Sequence, residues 1–311
     1  MTNQEIPEPF PGHEAGRWAP VTVETVASWP AGHLAENLAV SQSGSVFVSL
    51  HAHNRIDRFG PVLRSLSAFA QLPAPVAGLA VDPSGLLWAT GGAIGATPGY
   101  VWRVEPDGTY VPWVEIPDAL FMNGCVLHRG GRSLLICESV TGRILDVDLR
   151  ERTWRPWITD DRLRPTTPQM PGANGIKLFG GHAYFSVTDS NQLYRVPIKS
   201  DGSAGPLALY AGNLRADDFA FSKQGTLYIA THPAQTVMRL MSDGSRFTIA
   251  GPSQGAVGST ACAFGRSNSD CTALYVTTCG GLFAPYKGAL QEAKLLRLEV
   301  GETGAEENGS A

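Results

Sequence analysis

Four-residue apolar runs recur along this chain in the same local setting. They read Asn37-Leu38-Ala39-Val40, Gly78-Leu79-Ala80-Val81, Gly124-Cys125-Val126-Leu127, Gly175-Ile176-Lys177-Leu178, Asp218-Phe219-Ala220-Phe221 and Ala261-Cys262-Ala263-Phe264. Their first residues are separated by 41, 46, 51, 43 and 43 positions, the period range of propeller blades. Each run leads through a turn, such as Ser43-Gly44 or Lys223-Gln224-Gly225, into a β-rich strand, such as Val46-Phe47-Val48 or Leu227-Tyr228-Ile229. A third strand brings an Arg ahead of an aliphatic or aromatic residue at Arg58, Arg103, Arg195, Arg239 and Arg297, whereas repeat three has Asp146. Fourth strands are visible at 111–116, 154–158, 207–210 and 246–249.

The last repeat ends near Val300 without a fourth strand, and the strand over 21–29 belongs to no repeat. Joining the two predicts an all-β fold: a six-bladed β-propeller with four-stranded blades, its ring closed by the N-terminal strand. Closure of this kind covers edges that would otherwise seek partners. Residues 19–300 then form a single domain. An N-terminal tail covers 1–18, and an acidic, Gly-rich C-terminal tail covers 301–311 and is expected to fray.

The residue just before each run is Glu36, Ala77, Asn123, Asn174, Asp217 or Thr260. Equivalent positions in a closed array face one another across its axis, so two carboxylates and two carboxamides are expected to converge. Two bare carboxylates there would repel, and burying one unpaired costs several kcal/mol. A divalent cation removes that cost. Oxygen donors without Cys or His favour Ca²⁺, with Mg²⁺ or Mn²⁺ next and Zn²⁺ last. Because strands within a blade run antiparallel, the ends of the second strands share this mouth. They bring His51, Glu138 and His232 to it as candidate substrate contacts. Loops over 159–173 and 279–293, the latter with Phe283 and Tyr286, are candidate walls.

Composition narrows the classes. Hydrophobic residues make up 43% and charged residues 17% of 311, which is globular. The net charge of -4 gives no basic footprint for nucleic acid. No apolar run approaches a membrane span. Residues 1–16 lack the basic start and apolar middle of a signal peptide, so a cytoplasmic protein is expected, a monomer or weak homo-oligomer with a small-molecule substrate. The five cysteines have no CxxC spacing and read as reduced thiols, with Cys279 the candidate for reactivity. No GxSxG elbow supports serine-based hydrolysis.

Taken in order and in register, several stretches resemble the senescence marker protein (regucalcin) and gluconolactonase family of six-bladed propellers. They are Ala35-Glu36-Asn37-Leu38-Ala39-Val40, Ala173-Asn174-Gly175-Ile176, Ala216-Asp217-Asp218-Phe219, and Thr260-Ala261-Cys262-Ala263-Phe264-Gly265 with Leu274-Tyr275-Val276-Thr277. The resemblance covers about 21–300. It implies a divalent-metal-dependent lactonase, with Glu36, Asn174 and Asp217 binding the metal and Asp217 also acting as general base. Asn123 would hold water or substrate near the metal. The sequence departs from the family in two places. Asp218 stands where the family has Gly. The family's sugar-gripping Arg in an Arg-x-Asn-Asp-Gly run gives way to Leu120 in Leu120-Phe121-Met122-Asn123-Gly124, with Met122 replacing a polar residue. Leu120 and Met122 are therefore expected to form an apolar pocket wall for a lactone less polar than an aldonolactone. A lyase, isomerase or condensing enzyme of the same superfamily, and a non-catalytic binding propeller, are the alternatives.

Overall fold

The computed structural model describes residues 14, 16–60, 64–167 and 170–306. The expectations for residues 1–13 lie outside these. Six four-stranded antiparallel blades form a ring, in which each innermost strand packs against the innermost strands of both neighbours. The innermost strands are Ala35–Val40, Val76–Val81, Met122–His128, Ala173–Phe179, Ala216–Phe221 and Ser259–Phe264. Each contains one of the recurring apolar runs. The protein is thus an all-β six-bladed propeller. Among the described residues, no helix is long and apolar enough to cross a membrane.

Ring closure follows the prediction. Val23–Trp29 pairs antiparallel with Ala293–Glu299 and supplies the outer strand of blade six. The chain before it is more structured than a tail. Arg17–Trp18 adds a parallel fifth strand to the outer strand of blade five, Arg246–Ala250. The segment 301–306 does not fray either. Lys223 N–H donates to Thr303 O at 2.8 Å, Ala305 N–H donates to Phe221 O at 2.8 Å, and Gly304 lies so close to Phe264 that a Cβ there would meet its ring.

The recurring Arg on the third strands has a packing role. Arg58, Arg103, Arg195 and Arg239 lie over Phe69, Trp113, Tyr210 and Phe247 of the fourth strands, at 4.5–5.4 Å from the ring centroids. Such contacts contribute roughly 0.5–1 kcal/mol at exposed sites. Blade three keeps an attraction but puts the cation on the fourth strand. There Asp146 is the third-strand residue, and Arg155 of the fourth strand pairs with it at 3.1 Å.

Every innermost strand carries a register shift at its start, in each case next to the residue that precedes the apolar run. A bulge re-aims a side chain and leaves ladder groups without partners. Hydroxyls on the second strands take up those groups. Ser186 Oγ accepts from Gly175 N–H at 2.7 Å and donates across the blade boundary to Asp217 O at 2.6 Å. Ser49 does the same between Asn37 N–H and Ala77 O, and Thr90 donates to Asn123 O at 2.7 Å. The glycine after the bulge is needed for close approach: a Cβ on Gly175 would stand 2.5 Å from Asp218 Oδ1 and 2.8 Å from Asp217 O.

Candidate active site

The bulges turn Glu36, Asn123, Asn174 and Asp217 into one cavity of about 190 Å³ at the mouth of the axial channel. Thr260 does not join them. Its hydroxyl donates to Ala35 O at 2.5 Å and serves the ring itself. Ala77, buried in the core, has no donor to offer.

The two carboxamides are oriented by hydroxyls. Ser139 Oγ donates to Ala173 O at 2.6 Å, and Thr188 Oγ1 donates to Ala216 O at 2.9 Å. With their protons committed, these oxygens can only accept, and they take the amide nitrogens of Asn123 at 3.2 Å and Asn174 at 3.0 Å. Asn174 Nδ2 also donates to Asp217 Oδ1. The network thereby assigns nitrogen to the wall and leaves each amide oxygen as the donor for a cation.

The carboxylates sit in an environment that opposes their charge. Burial and then the nearby Asp218 charge raise Glu36 to about 7, although part of its surface opens into the cavity. Burial, then Glu36 and Asp218, push Asp217 well above the usual carboxylate range, against the opposing pull of the Asn174 amide. No Lys or Arg is among the residues lining the cavity. Asp218 itself points elsewhere and pairs with Lys177 Nζ at 2.7 and 2.8 Å, as strand alternation leads one to expect. Among the described residues no group of three His, Cys, Asp or Glu side chains could hold a metal ion. The donor set that does converge is mixed, two carboxylates with two amide oxygens, and its hard oxygens and uncompensated charge fit a divalent cation.

Two histidines flank the carboxylates. His51 Nδ1 lies 3.1 Å from Val76 O, and since a carbonyl only accepts, Nδ1 carries the proton and Nε2 is a lone-pair acceptor. Burial lowers its pKa. His232 places Nδ1 3.5 Å from Asp217 Oδ2 and Nε2 3.5 Å from Cys279 Sγ. Burial, and then Arg215, bring its pKa down to about 4. Cys279 is not the reactive thiol that its loop position implied. It is buried, and that burial raises it to about 11.

Three predicted contacts are placed differently. Glu138 is fully buried and does not line the cavity: Oε1 accepts the N–H groups of Leu120 and Phe121 at 3.1 and 3.0 Å, while Oε2 accepts from Thr141. It braces the segment before blade three. Nearby, Arg143 pairs with Asp118 at 2.7 Å. Met122 is fully buried in the apolar core beside Ala119. Leu120 is absent from the lining too, and its carbonyl anchors the 92–98 loop through Gly95 N–H at 2.8 Å. The wall residue is Phe121, two positions before Asn123. Alternation along an extended strand puts such residues on one face, so the period of two was the available signal. Met170 and Pro171 from the 159–173 loop, Phe283 from the 279–293 loop, and Ile94 complete the apolar side.

The class defined so far is a six-bladed propeller with an acidic and carboxamide site at one mouth of its channel, beneath an apolar wall. No family model matches the chain, and no curated protein matches it. Solved structures do. A calcium-binding protein, regucalcin, from Agrobacterium tumefaciens superposes with a TM-score of 0.71 at 17% identity, over 94% of this chain and 98% of that one. A gluconolactonase from Xanthomonas campestris gives 0.66 at 14% identity, over 92% and 91%. Virginiamycin B lyase from Staphylococcus aureus gives 0.54 at 16% identity, over 84% and 79%. At these identities the shared property is the propeller fold.

Proposed function

We propose that the protein is a divalent-cation-dependent hydrolase of lactones, acting on a small molecule less polar than an aldonolactone. One observation carries this reading: Glu36, Asn123, Asn174 and Asp217 meet in a single cavity whose lining holds no positive side chain. The gluconolactonase and the calcium-binding regucalcin among the structural neighbours favour lactone chemistry and Ca²⁺. When bound, a divalent cation supplies Lewis acidity that polarises an ester carbonyl. Glu36, Asn174, Asp217 and Asn123 would hold it by their oxygens.

The chain's own groups supply the rest. Asp217 is the general base. One oxygen is fixed by the Asn174 amide and the other faces His232, so its carboxylate is held in one orientation toward an attacking water. Neutral His51 offers Nε2 as an acceptor for a substrate or water proton. Phe121 lines the cavity beside Asn123 and offers an apolar surface to the part of the substrate that does not react. The test is a panel of lactones and esters assayed with added Ca²⁺, Mg²⁺ or Mn²⁺ and again in EDTA. Turnover that EDTA abolishes, and that Asp217→Asn lowers at least a hundredfold while the fold is retained, is the expected result. A panel without any cation-dependent turnover removes the hydrolase assignment.

A lyase reading is favoured by the His232–Asp217 pair under apolar walls and by the lyase neighbour. Ring opening in ¹⁸O-labelled water separates the two. Hydrolysis puts the label into the product acid, whereas elimination leaves it unlabelled.

A further inference from the structure

Resting on the hydrolase reading, we infer that the substrate lactone carries a hydrocarbon arm, and that Ile94 and Phe283 form the site that receives it. The first observation is one of place. Glu36 and Asp217 line the same cavity as Ile94 and Phe283, so a ring seated over the carboxylates has its substituents within reach of those two side chains.

The second observation is what stands at the cavity's mouth. Ile94 and Phe283 are the most exposed large hydrophobic side chains among the described residues, at 60% and 63%, and both line this one cavity. Exposed apolar groups scattered over a surface need no explanation. The two most exposed among the described residues, lining one opening, do. They come from different blades, Ile94 from the 92–98 loop of blade two and Phe283 from the 279–293 loop of blade six.

The third observation is that each loop is tethered to a neighbouring blade. The 92–98 loop is tied to blade three by Gly95 N–H donating to Leu120 O at 2.8 Å. The 279–293 loop is tied to blade five by Gln235 Nε2 donating to Ala284 O at 2.6 Å. Phe283 also rests edge-on against His232, with ring centroids 5.4 Å apart. Two apolar side chains on tethered loops thus stand open to water at one cavity, a preorganised surface that an incoming apolar group can cover. With no Lys or Arg in the lining, a carboxylate, phosphate or polyhydroxylated arm finds no complementary charge there. An alkyl or aryl arm does find complementary surface.

The experiment uses two ligand series on the full chain. Turnover is measured on γ-butyrolactone, γ-octalactone and γ-dodecalactone. Binding is measured by calorimetry on cyclopentanone and the matching 3-alkylcyclopentanones, which cannot be hydrolysed. A fully buried methylene is worth about fourfold in affinity, so a rim that covers one side of the chain should give about twofold per methylene. Both series should show this rise in the wild type, and it should flatten in Ile94→Ser/Phe283→Ser. Equal binding of short and long ketones, or an undiminished rise in the double variant, overturns the inference. If the ketones show the rise and the variants abolish it while no lactone is opened, the arm site stands and the hydrolase reading falls.

Discussion

Glu36 and Asp217 share a cavity that favours their protonated forms, and this gives the cation-free protein a distinctive pH response. A carboxyl raised to about 7 binds more protons in the folded than in the unfolded chain between its ordinary value of 4.5 and 7. Its contribution to stability is therefore fully present below the unfolded value and lost as pH rises through 7. At about 1.4 kcal/mol per unit, the loss amounts to a few kcal/mol. In EDTA the melting temperature should fall by several degrees between pH 5 and pH 8, and saturating Ca²⁺ should remove most of that fall. A flat profile in EDTA would contradict the geometry. Glu36→Gln should have two effects of opposite sign at pH 8: a higher melting temperature in EDTA, because a buried charge is gone, and at least tenfold weaker Ca²⁺ binding. Both can be read by differential scanning calorimetry and calcium titration. The four cavity donors were legible in the sequence because they occupy one recurring position. The wall was legible only through strand alternation, which selects Phe121 over Leu120 and Met122.

At the scale of the strand, the site depends on bulges that the apolar pattern does not reveal. The pattern marks where each innermost strand starts, but not that an extra residue is inserted there. The signal lies on the second strands, where Ser49, Thr90, Ser186 and Thr277 recur at matching places with a hydroxyl in the core. Ser186→Ala leaves Gly175 N–H and Asp217 O without their partner. It should cost about 1–3 kcal/mol in urea unfolding, and it should weaken Ca²⁺ binding because both Asn174 and Asp217 flank the released groups. Unchanged unfolding would show that the hydroxyl is dispensable. Glu138 was legible as a mouth residue by position alone, and its true work is bracing. Glu138→Ala removes the acceptor for three backbone N–H groups, those of Leu120, Phe121 and Thr141. The expected outcome is a loss of about 2–3 kcal/mol together with a raised KM, as Phe121 loses its seat. A variant that lowers kcat alone would instead place Glu138 in the chemistry.

At the scale of the whole molecule, counting strands was enough to predict that Val23–Trp29 completes blade six. Deleting the chain through residue 29 uncovers the edge of Ala293–Glu299. The truncated protein should lose monodispersity on size-exclusion chromatography, as unpaired edges find one another. The short parallel strand Arg17–Trp18 and the docked segment 301–306 were not legible. Both adhere largely through backbone hydrogen bonds, with isolated side-chain contacts such as Arg17 over Phe247, and neither carries an apolar period.

The cross-blade hydroxyl bonds have a further consequence. Asp217 is seated by Ser186 of blade four, Asn123 by Thr90 of blade two, and Ala35, next to Glu36, by Thr260 of blade six. No blade completes its own corner of the cavity, so half a ring does not hold half a site. On the proposed function, calcium capture would be a late event in biosynthesis, arriving only once the first and last blades have met, and would act as a chemical seal on a finished circle.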